Sequence, residues 1–479
     1  MLLHLAWRRN LDGFDLALAV NRLAARGVGS WWLGASGPGH EPGDYLCDTN
    51  AAEGERLAGF GITATPWNEA LPDEAVAFAP PRIALFVDII PAYPDFGYYA
   101  MALARLGFDV HLVDAAAIAA GALDSSDLLV LPGGFPIGGL DGVESADARV
   151  REFLANGGAA IASGGGAFYL SAGRPGWTGT ARARPRYTEV YSSIGVGIVS
   201  LRLGADSIGF GSPPTLEMPY CHGPVYDVLD RSVSAAAVFD RLVMPGRLFA
   251  ANPLDPEGFQ RDMAGHAAIL RAEGQRGRAV LFSANPEMGD LVRRYMGLDD
   301  YVARDPPIRD EAAMAETTRR YRPLESPSWR LILNAVHSLM LRRRPPAGMP
   351  AQIVPRPRDE TGPRLAAAVE PALARLPDSS DKSRQGLAEI LRADLSRRLA
   401  TLRSRIDAAD TALRPLAGPA PGVRALRIDC EQAAAAAIAA QAGLRLSPTE
   451  RLAEIDTALT LMEAWCRLAE AEIHFARPG

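Results

Sequence analysis

The chain has 479 residues, a length that corresponds to about three domains. A hydrophobic fraction of 48% and a charged fraction of 22% are typical of globular proteins, and a net charge of −6 argues against a nucleic-acid partner. Four scattered cysteines without a CxxC pair argue against a zinc knuckle and a disulfide framework. We see no leader peptide and no apolar run of the ~20 residues that span a membrane. We therefore expect a cytoplasmic protein without membrane contact, metal or cofactor.

Residues 1–78 predict a small α+β module. Apolar residues in residues 14–26 follow a helical period, and short strands are expected at residues 2–7, 29–33, 45–47 and 62–67. With a second helix at residues 51–60, the order is βαββαβ, which is typical of a ferredoxin-like fold. Trp31 and Trp32 could line a ligand face, but we favour one Trp in the core and the other half-buried.

Residues 79–344 alternate between predicted strands and helices. The strand at residues 82–87 is almost continuously apolar, as a sheet covered on both faces requires. The pattern predicts an α/β domain with a doubly wound, flavodoxin-like parallel sheet. Ligands of such sheets bind beyond the carboxyl ends of the strands. The loops expected at that edge are residues 88–96, 132–139, 163–166 and 284–288.

Residues 159–172, AAIASGGGAFYLSA, predict a strand, a sharp glycine turn and a helix. Such an elbow raises one side chain into an exposed, strained position at the end of a sheet. Gly164 occupies the summit here and has no side chain to present. A phosphate-binding loop is the less favoured interpretation, because the glycines lack GxGxxG spacing and no Lys-Ser/Thr pair follows them.

Together with LLVLPGG at residues 128–134 and VLFSANPE at residues 280–287, this elbow resembles the class I glutamine amidotransferase-like superfamily. The resemblance covers about residues 80–300 and is strongest to the branch found at the N-terminus of some biotin–protein ligases. In that family the elbow is Gly-x-Cys-x-Gly and the closing motif is His-Pro-Glu. The cysteine position falls on Gly164, the histidine position on Asn285 and the glutamate position on Glu287.

These replacements predict that glutaminase chemistry is lost. Glycine cannot attack an amide, and asparagine cannot exchange a proton near neutral pH. Ser163 and Cys221 are the alternative nucleophiles, although Ser163 lies one residue from the summit. An active hydrolase or amidotransferase with a rearranged site would need a nucleophile within about 3.2 Å of a base, near the Gly134 N–H.

The resemblance also implies groups that could bind a ligand at the former active site. Backbone N–H donors of the double glycine, Gly133 and Gly134, and of Gly165 would remain without a nucleophile. Residues 219–226, PYCHGPVY, are similar to an aromatic–Gly-Pro loop that approaches the site in the biotin–ligase branch. The candidate pocket walls are Tyr220, His222 and Tyr226.

The remaining sequence predicts helices. An amphipathic helix at residues 328–343 ends in an arginine triplet, and a proline-rich linker is expected at residues 345–362. Residues 363–479 carry leucine stripes and predict an antiparallel bundle, which has no Glu-x-x-His ligand pairs. We expect few contacts across the linker, so that a 1–350 fragment stays soluble. The bundle's stripes suggest a protein partner or self-association.

The sequence therefore predicts a catalytically degenerate amidotransferase-like protein. It would bind a small molecule at the former active site or serve as a structural or assembly subunit.

Overall fold

A computed structural model of the chain describes residues 1–10, 13–87, 95–135, 144–186, 195–228, 230–246, 252, 254–274, 277–304, 318, 320–340, 364–376, 382–440 and 447–476. The predicted linker at residues 345–362 and the arginine triplet at residues 342–344 lie outside the described residues, as do parts of the loops predicted at residues 88–96 and 132–139.

The first sheet is built by residues near the N-terminus. Its elements are β1 (Leu2–Leu5), α1 (Gly13–Ala25), β2 (Gly29–Leu33), β3 (Tyr45–Asp48), α2 (Ala51–Gly59), β4 (Thr65–Pro66) and β5 (Ala75–Ala77). The strand order is β4-β1-β3-β2-β5, and the neighbouring strands are antiparallel. Asn50 caps α2 by accepting from the Glu53 N–H, and the Glu53 side chain accepts from the Asn50 N–H in return. Trp32 is buried and Trp31 is half-buried.

The second sheet contains five parallel strands. They are β6 (Ile83–Phe86), β7 (Val110–Val113), β8 (Leu128–Leu131), β9 (Ala159–Ser163) and β16 (Gly277–Phe282), in the order β7-β6-β8-β9-β16. Between them run α3 (Asp95–Arg105), α4 (Ala115–Ala119), α5 (Glu144–Ala155) and α6 (Gly164–Leu170). Alternate residues of β6 enter different hydrophobic clusters, because successive side chains of a strand point to opposite faces. Both faces of this part of the sheet are therefore buried.

The predicted parallel sheet is one part of a larger mixed sheet, because the sheet continues past β16 with antiparallel strands. The added strands are β11 (Val196–Leu203), β12 (Thr215–Cys221), β14 (Val233–Pro245) and β15 (Ala267–Gly274), in the order β12-β11-β14-β15-β16. The short strands β10 (Ala183–Pro185) and β13 (Tyr226–Val228) pair beside them. The predicted loop at residues 219–226 is thus shorter, since its first three residues belong to β12 and its last to β13.

Helices complete the molecule. They are α7 (Pro256–Asp262), α8 (Gly289–Arg304), α9 (Trp329–Met340), α10 (Leu365–Ala374), α11 (Lys382–Leu413), α12 (Ala420–Ala440) and α13 (Pro448–Ala476). The predicted α/β class with a C-terminal helical region is confirmed, with a mixed sheet in place of a parallel one. In the part of the chain that the structure describes, no helix has the length and apolar character needed to cross a membrane.

The expectation that few contacts join the C-terminal helices to the rest is wrong. Helix α13 packs against α3, α1 and α8, and its apolar side chains belong to the same hydrophobic cluster as those helices. Ion pairs reinforce this packing: Arg467 Nε donates to Asp15 Oδ1 at 3.0 Å, and the buried Arg22 faces Glu472 at 3.8 Å. The leucine stripes of α11 and α13 are therefore buried within the chain and do not form an exposed surface.

Candidate functional site

The predicted elbow is present where β9 meets α6. Ser163 keeps extended backbone angles, with φ −125°, and Gly164 turns into the left-handed region with φ +44°. Residues other than glycine rarely adopt that backbone conformation without strain. All three glycines of the turn are buried. The elbow thus has the expected backbone geometry, but its summit is inside the protein.

The loop after β8 covers the summit. A Cβ atom on Gly164 would lie 2.9 Å from Gly133 Cα, and one on Gly165 would lie 1.9 Å from the Phe135 carbonyl oxygen. Non-bonded carbon atoms normally approach no closer than about 3.5 Å. The space that a nucleophilic side chain would need is therefore filled by the backbone of Gly133 and Phe135.

The same contact occupies the N–H of Gly165, which was predicted to donate to an oxyanion. The Gly165 N–H donates to the Gly133 carbonyl oxygen at 2.9 Å, and the Gly166 N–H donates to the Pro132 carbonyl oxygen at 3.4 Å. The prediction that Gly165 offers its N–H to a ligand is wrong for this reason. Gly133 acts as the acceptor of this bond, and Gly134 follows it in the half-buried part of the loop.

A buried hydrogen-bond network lies beneath the elbow. Ser163 Oγ donates to Glu287 Oε2 at 3.0 Å and lies 2.5 Å from the Tyr99 hydroxyl. Asn285 Nδ2 donates to Glu287 Oε1 at 3.0 Å, and Asn285 Oδ1 accepts from the Cys221 N–H at 2.9 Å. Asn285 thus ties Glu287 to the end of β12. In this geometry Asn285 is a structural bridge between Glu287 and β12.

Two acids near the elbow have raised pKa values. Burial, with a contribution from nearby Asp95, raises the pKa of Glu287 to about 8. Burial raises the pKa of Asp95 to about 7. Asp95 begins α3, and its Oδ1 atom would lie 3.2 Å from a Cβ placed on Gly133, so it lies beside the covering loop. The protonated form of Glu287 is therefore favoured at neutral pH.

Ser163 and Glu287 meet the distance required of a nucleophile and a base, but Ser163 is not accessible. Its relative exposure is 0%, and the Tyr99 hydroxyl contacts the same oxygen that bonds Glu287. Cys221, the other alternative nucleophile, has a pKa raised far above the usual range, first by burial and then by Asp95 and Glu287. A thiolate is therefore not available there.

The predicted pocket walls are not brought together. Tyr220 is buried and donates its hydroxyl to the Gly223 carbonyl oxygen at 2.7 Å, whereas the buried Tyr226 donates to the Ala167 carbonyl oxygen at 3.0 Å. The two tyrosines belong to different hydrophobic clusters on opposite faces of the sheet. Their predicted role as pocket walls is wrong, because strand pairing of Pro219–Cys221 and Tyr226 places both rings in the core.

His222 is exposed and has a left-handed backbone, with φ +55°. Its N–H donates to the Gly195 carbonyl oxygen at 3.1 Å. This conformation is uncommon for a residue other than glycine. The adjacent Cys221 belongs to β12.

Three cavities formed by described residues lie away from the elbow. One of about 340 Å³ lies at the amino-terminal edge of the parallel strands, near Arg82 and Phe153. A second, of about 270 Å³, lies between α8 and the C-terminal helices, near Arg294 and Arg398. The third, of about 610 Å³, lies between α10 and α11. Within the described ranges, no group of three His, Cys, Asp or Glu side chains could hold a metal ion.

Sequence reasoning missed Asp95 and Tyr99 as neighbours of the elbow. Asp95 follows the loop after β6, at the edge where the ligands of such sheets bind, so its position was a usable signal. Tyr99 gave no such signal, because its hydroxyl reaches Ser163 only through the packing of α3 on the sheet.

No family model matches this chain, and no curated protein does either. Among solved structures, a glutamine amidotransferase from Thermotoga maritima is 13% identical, with a TM-score of 0.33 over 55% of this chain and 98% of that one. A cytoplasmic protein from Salmonella typhimurium is 10% identical, with a TM-score of 0.32 over 54% and 98%. A β-galactosidase from Bacillus circulans is 11% identical, with a TM-score of 0.27 over 42% of this chain and 28% of that one.

Proposed function

We propose that this chain is a non-catalytic protein of the class I glutamine amidotransferase-like superfamily that serves as a structural subunit of a cytoplasmic assembly. Its motifs favour the branch found in biotin–protein ligases. The parallel strands support a flavodoxin-like core, since numbering them along the chain gives the order 2-1-3-4-5. The double-glycine loop, the elbow and the Asn-Pro-Glu motif follow the third, fourth and fifth of these strands.

One observation carries the proposal: the backbone of Gly133 occupies the place of a side chain on Gly164. A catalytic elbow needs space above its summit for the nucleophile and for the carbonyl carbon that it attacks. Here the Gly165 N–H is also used by Gly133, so neither the attacking group nor this part of an oxyanion hole is available.

The structural role is favoured over small-molecule binding at the former active site. Tyr220 and Tyr226, which were predicted to line a pocket, are core residues, and Gly165 is covered. The C-terminal helices, by contrast, present a large open cavity.

An active hydrolase with a rearranged site is the second candidate, because Ser163 Oγ lies 3.0 Å from Glu287 Oε2. The ionised fraction of Glu287 increases as the pH approaches its pKa of about 8, and the ionised carboxylate could accept a proton from a nucleophile. This function requires the loop of Gly133 to move away from the elbow, because Ser163 is fully buried.

Ammonia release from glutamine, and hydrolysis of a panel of activated esters, test both candidates. We expect no activity from the wild-type chain and no change in Ser163→Ala. The matched control is Ser404→Ala, an exposed serine on α11. Turnover that disappears in Ser163→Ala and persists in Ser404→Ala would establish the second candidate and refute the proposal.

We also expect no activity from a Gly164→Cys, Asn285→His double variant, since the new Cβ would lie 2.9 Å from Gly133 Cα. Glutaminase activity in that variant would mean that the covering loop opens in solution.

A further inference from the structure

The cavity between α10 and α11 is a groove in which four of the exposed residues are small. It has a volume of about 610 Å³ and is lined by Glu370, Leu373, Ala374, Arg392, Ala393, Ser396, Leu399, Ala400 and Arg403. We call these residues the α10–α11 groove. Leu373 and Leu399 are buried at its base, whereas Ala374, Ala393, Ser396 and Ala400 are exposed. Small exposed side chains above an apolar base leave room for side chains from another molecule.

The small residues of α11 form a continuous stripe. Ala393, Ser396 and Ala400 are three and four residues apart, a spacing that places them on one face of the helix. The distance between two packed helix axes depends on the side chains at the contact, so small residues permit a close approach. The shape of the groove therefore fits a helix that inserts larger apolar side chains at successive turns.

The rim of the groove is basic. Arg392 and Arg403 border it, and Arg403 Nη1 lies 2.9 Å from Glu370 Oε1 on the opposite side. That pair is 61% and 56% exposed, so it is worth little and can be exchanged for another partner. Helix α11 has seven basic and four acidic residues, in a chain whose net charge is −6. A helix with acidic residues beside its apolar face would complement this rim.

Charge argues against a second copy of the chain as the occupant. Two α11 helices packed antiparallel across a two-fold axis would bring Arg392 of one copy near Arg403 of the other. Packed in parallel, they would bring each arginine near its own equivalent. Both arrangements oppose like charges.

We propose that the α10–α11 groove is the docking site for an amphipathic helix of a different protein, with leucine-sized anchors on one face and acidic residues beside them. This inference rests on the proposed assembly role and specifies its surface and the chemistry of its partner. It is independent of the elbow, so a catalytic elbow would refute the proposed function without affecting peptide binding here.

The test uses the full chain and three synthetic helical peptides of about 18 residues, labelled for fluorescence anisotropy. The first carries leucines at helical spacing with flanking glutamates, the second replaces glutamate by lysine, and the third keeps the composition of the first in a scrambled order. We expect the first to bind and the other two to bind at least about tenfold more weakly.

Variants of the chain locate the site. Ser396→Trp should fill the groove and weaken binding of the glutamate peptide by about tenfold or more. Ser404→Trp is the matched control, since Ser404 is also exposed on α11 and also donates its hydroxyl to a backbone carbonyl, but does not line the groove. Arg392→Glu combined with Arg403→Glu should reverse the preference between the glutamate and lysine peptides. Thermal melts of each variant verify folding.

Three results would overturn the proposal. Equal binding of the scrambled peptide would indicate a surface for polyanions of any kind. Equal loss of binding in Ser396→Trp and Ser404→Trp, with both folded, would place the site elsewhere. A dimer in sedimentation that Ser396→Trp dissociates and Ser404→Trp preserves would make a second copy the occupant.

Discussion

The elbow and the α10–α11 groove are opposite in construction. At the elbow, three glycines and the loop of Gly133 bring backbone against backbone, so that the edge of the sheet where ligands usually bind is filled. In the groove, side chains as small as alanine and serine are exposed above two buried leucines. The same kind of feature, a lack of side-chain bulk, closes one region and opens the other. Whether such a region is closed or open depends on whether another segment of the chain packs into the space.

This comparison gives the two regions different expected responses to mutation. Bulk added at the elbow must displace backbone and should affect folding. Bulk added in the groove meets solvent and should affect binding alone. The C-terminal helices as a whole combine both behaviours, because their inner helix α13 is part of the core and their outer surface is open.

The largest effect is expected from removal of the C-terminal helices. Truncation after Met340 would expose the faces of α1, α3 and α8 that α13 covers. Burial of about ten apolar side chains, at about 1.5–3 kcal/mol each, contributes a free energy of unfolding comparable with or larger than the roughly 5–15 kcal/mol that stabilises a typical domain. We therefore expect the fragment to lose its cooperative thermal melt and to aggregate, as measured by calorimetry and by the soluble fraction.

A full chain cut within residues 345–362 is the control for that truncation. It keeps the packing of α13, and we expect it to melt as one unit with its two pieces associated. A soluble 1–340 fragment with a cooperative melt would instead establish the C-terminal helices as a separable domain.

A smaller but still severe effect is expected from Gly165→Ala. The new methyl carbon would lie 1.9 Å from the Phe135 carbonyl oxygen, so the loop of Gly133 must shift. Overpacking of this kind costs about 3 kcal/mol when backbone has to move. Denaturant unfolding should show this loss of free energy of unfolding.

Gly386→Ala is the matched control, because Gly386 lies within α11 with nothing within 4 Å of its added Cβ. It should stabilise the chain by up to about 1 kcal/mol, since alanine favours helix. Equal stability of Gly165→Ala and the wild-type chain would mean that the elbow is open in solution.

The third expected effect is a change in pH dependence. A folded-state pKa of about 8 for Glu287, against its ordinary 4.5, means that the folded chain favours the protonated acid. The contribution of protonated Glu287 to the free energy of unfolding is fully present below pH 4.5 and is lost as the pH rises through about 8. Between those values the free energy of unfolding should fall by up to about 1.4 kcal/mol per pH unit from this group.

Glu287→Gln should remove that part of the slope in denaturant titrations at several pH values. A residual slope of the same sign is expected from Asp95, whose pKa is raised to about 7. Glu152→Gln, at an exposed carboxylate, is the matched control variant. A Glu287→Gln variant with the wild-type slope would show that Glu287 stays ionised in the folded chain.

Local elements of the fold were predictable because their signals are local. The apolar run of each of the strands β6, β8 and β9, and the glycine turn at residues 163–166, spans only a few consecutive residues, and the strands and the turn occur there. The antiparallel strands were not predictable in this way. Their pairing depends on partners far along the chain, as in β11 with β14 and β14 with β15.

The closure of the elbow was also beyond the sequence. The absence of a side chain at the summit of the elbow could be predicted from Gly164, since it concerns the identity of one residue. The hydrogen bond from the Gly165 N–H to the Gly133 carbonyl oxygen depends on the position of the Gly133 backbone. No side chain in the sequence indicates that position. The burial of Glu472 and Asp456, two acidic residues of the largely buried helix α13, could not be predicted from the sequence either. Their burial becomes understandable only once Arg22 and Arg398 are placed beside them.

The ion pair between Asp15 and Arg467 joins residues that are 452 positions apart. At the usual rates of protein synthesis, the ribosome needs roughly 23 to 90 s to make a segment of that length. Throughout this time α1, and for most of it α3, exist without the helix that covers them. Their apolar faces would then be available to chaperones or to other nascent chains. From the position of α13 we therefore expect expression of this protein to be sensitive to translation speed and to chaperone supply.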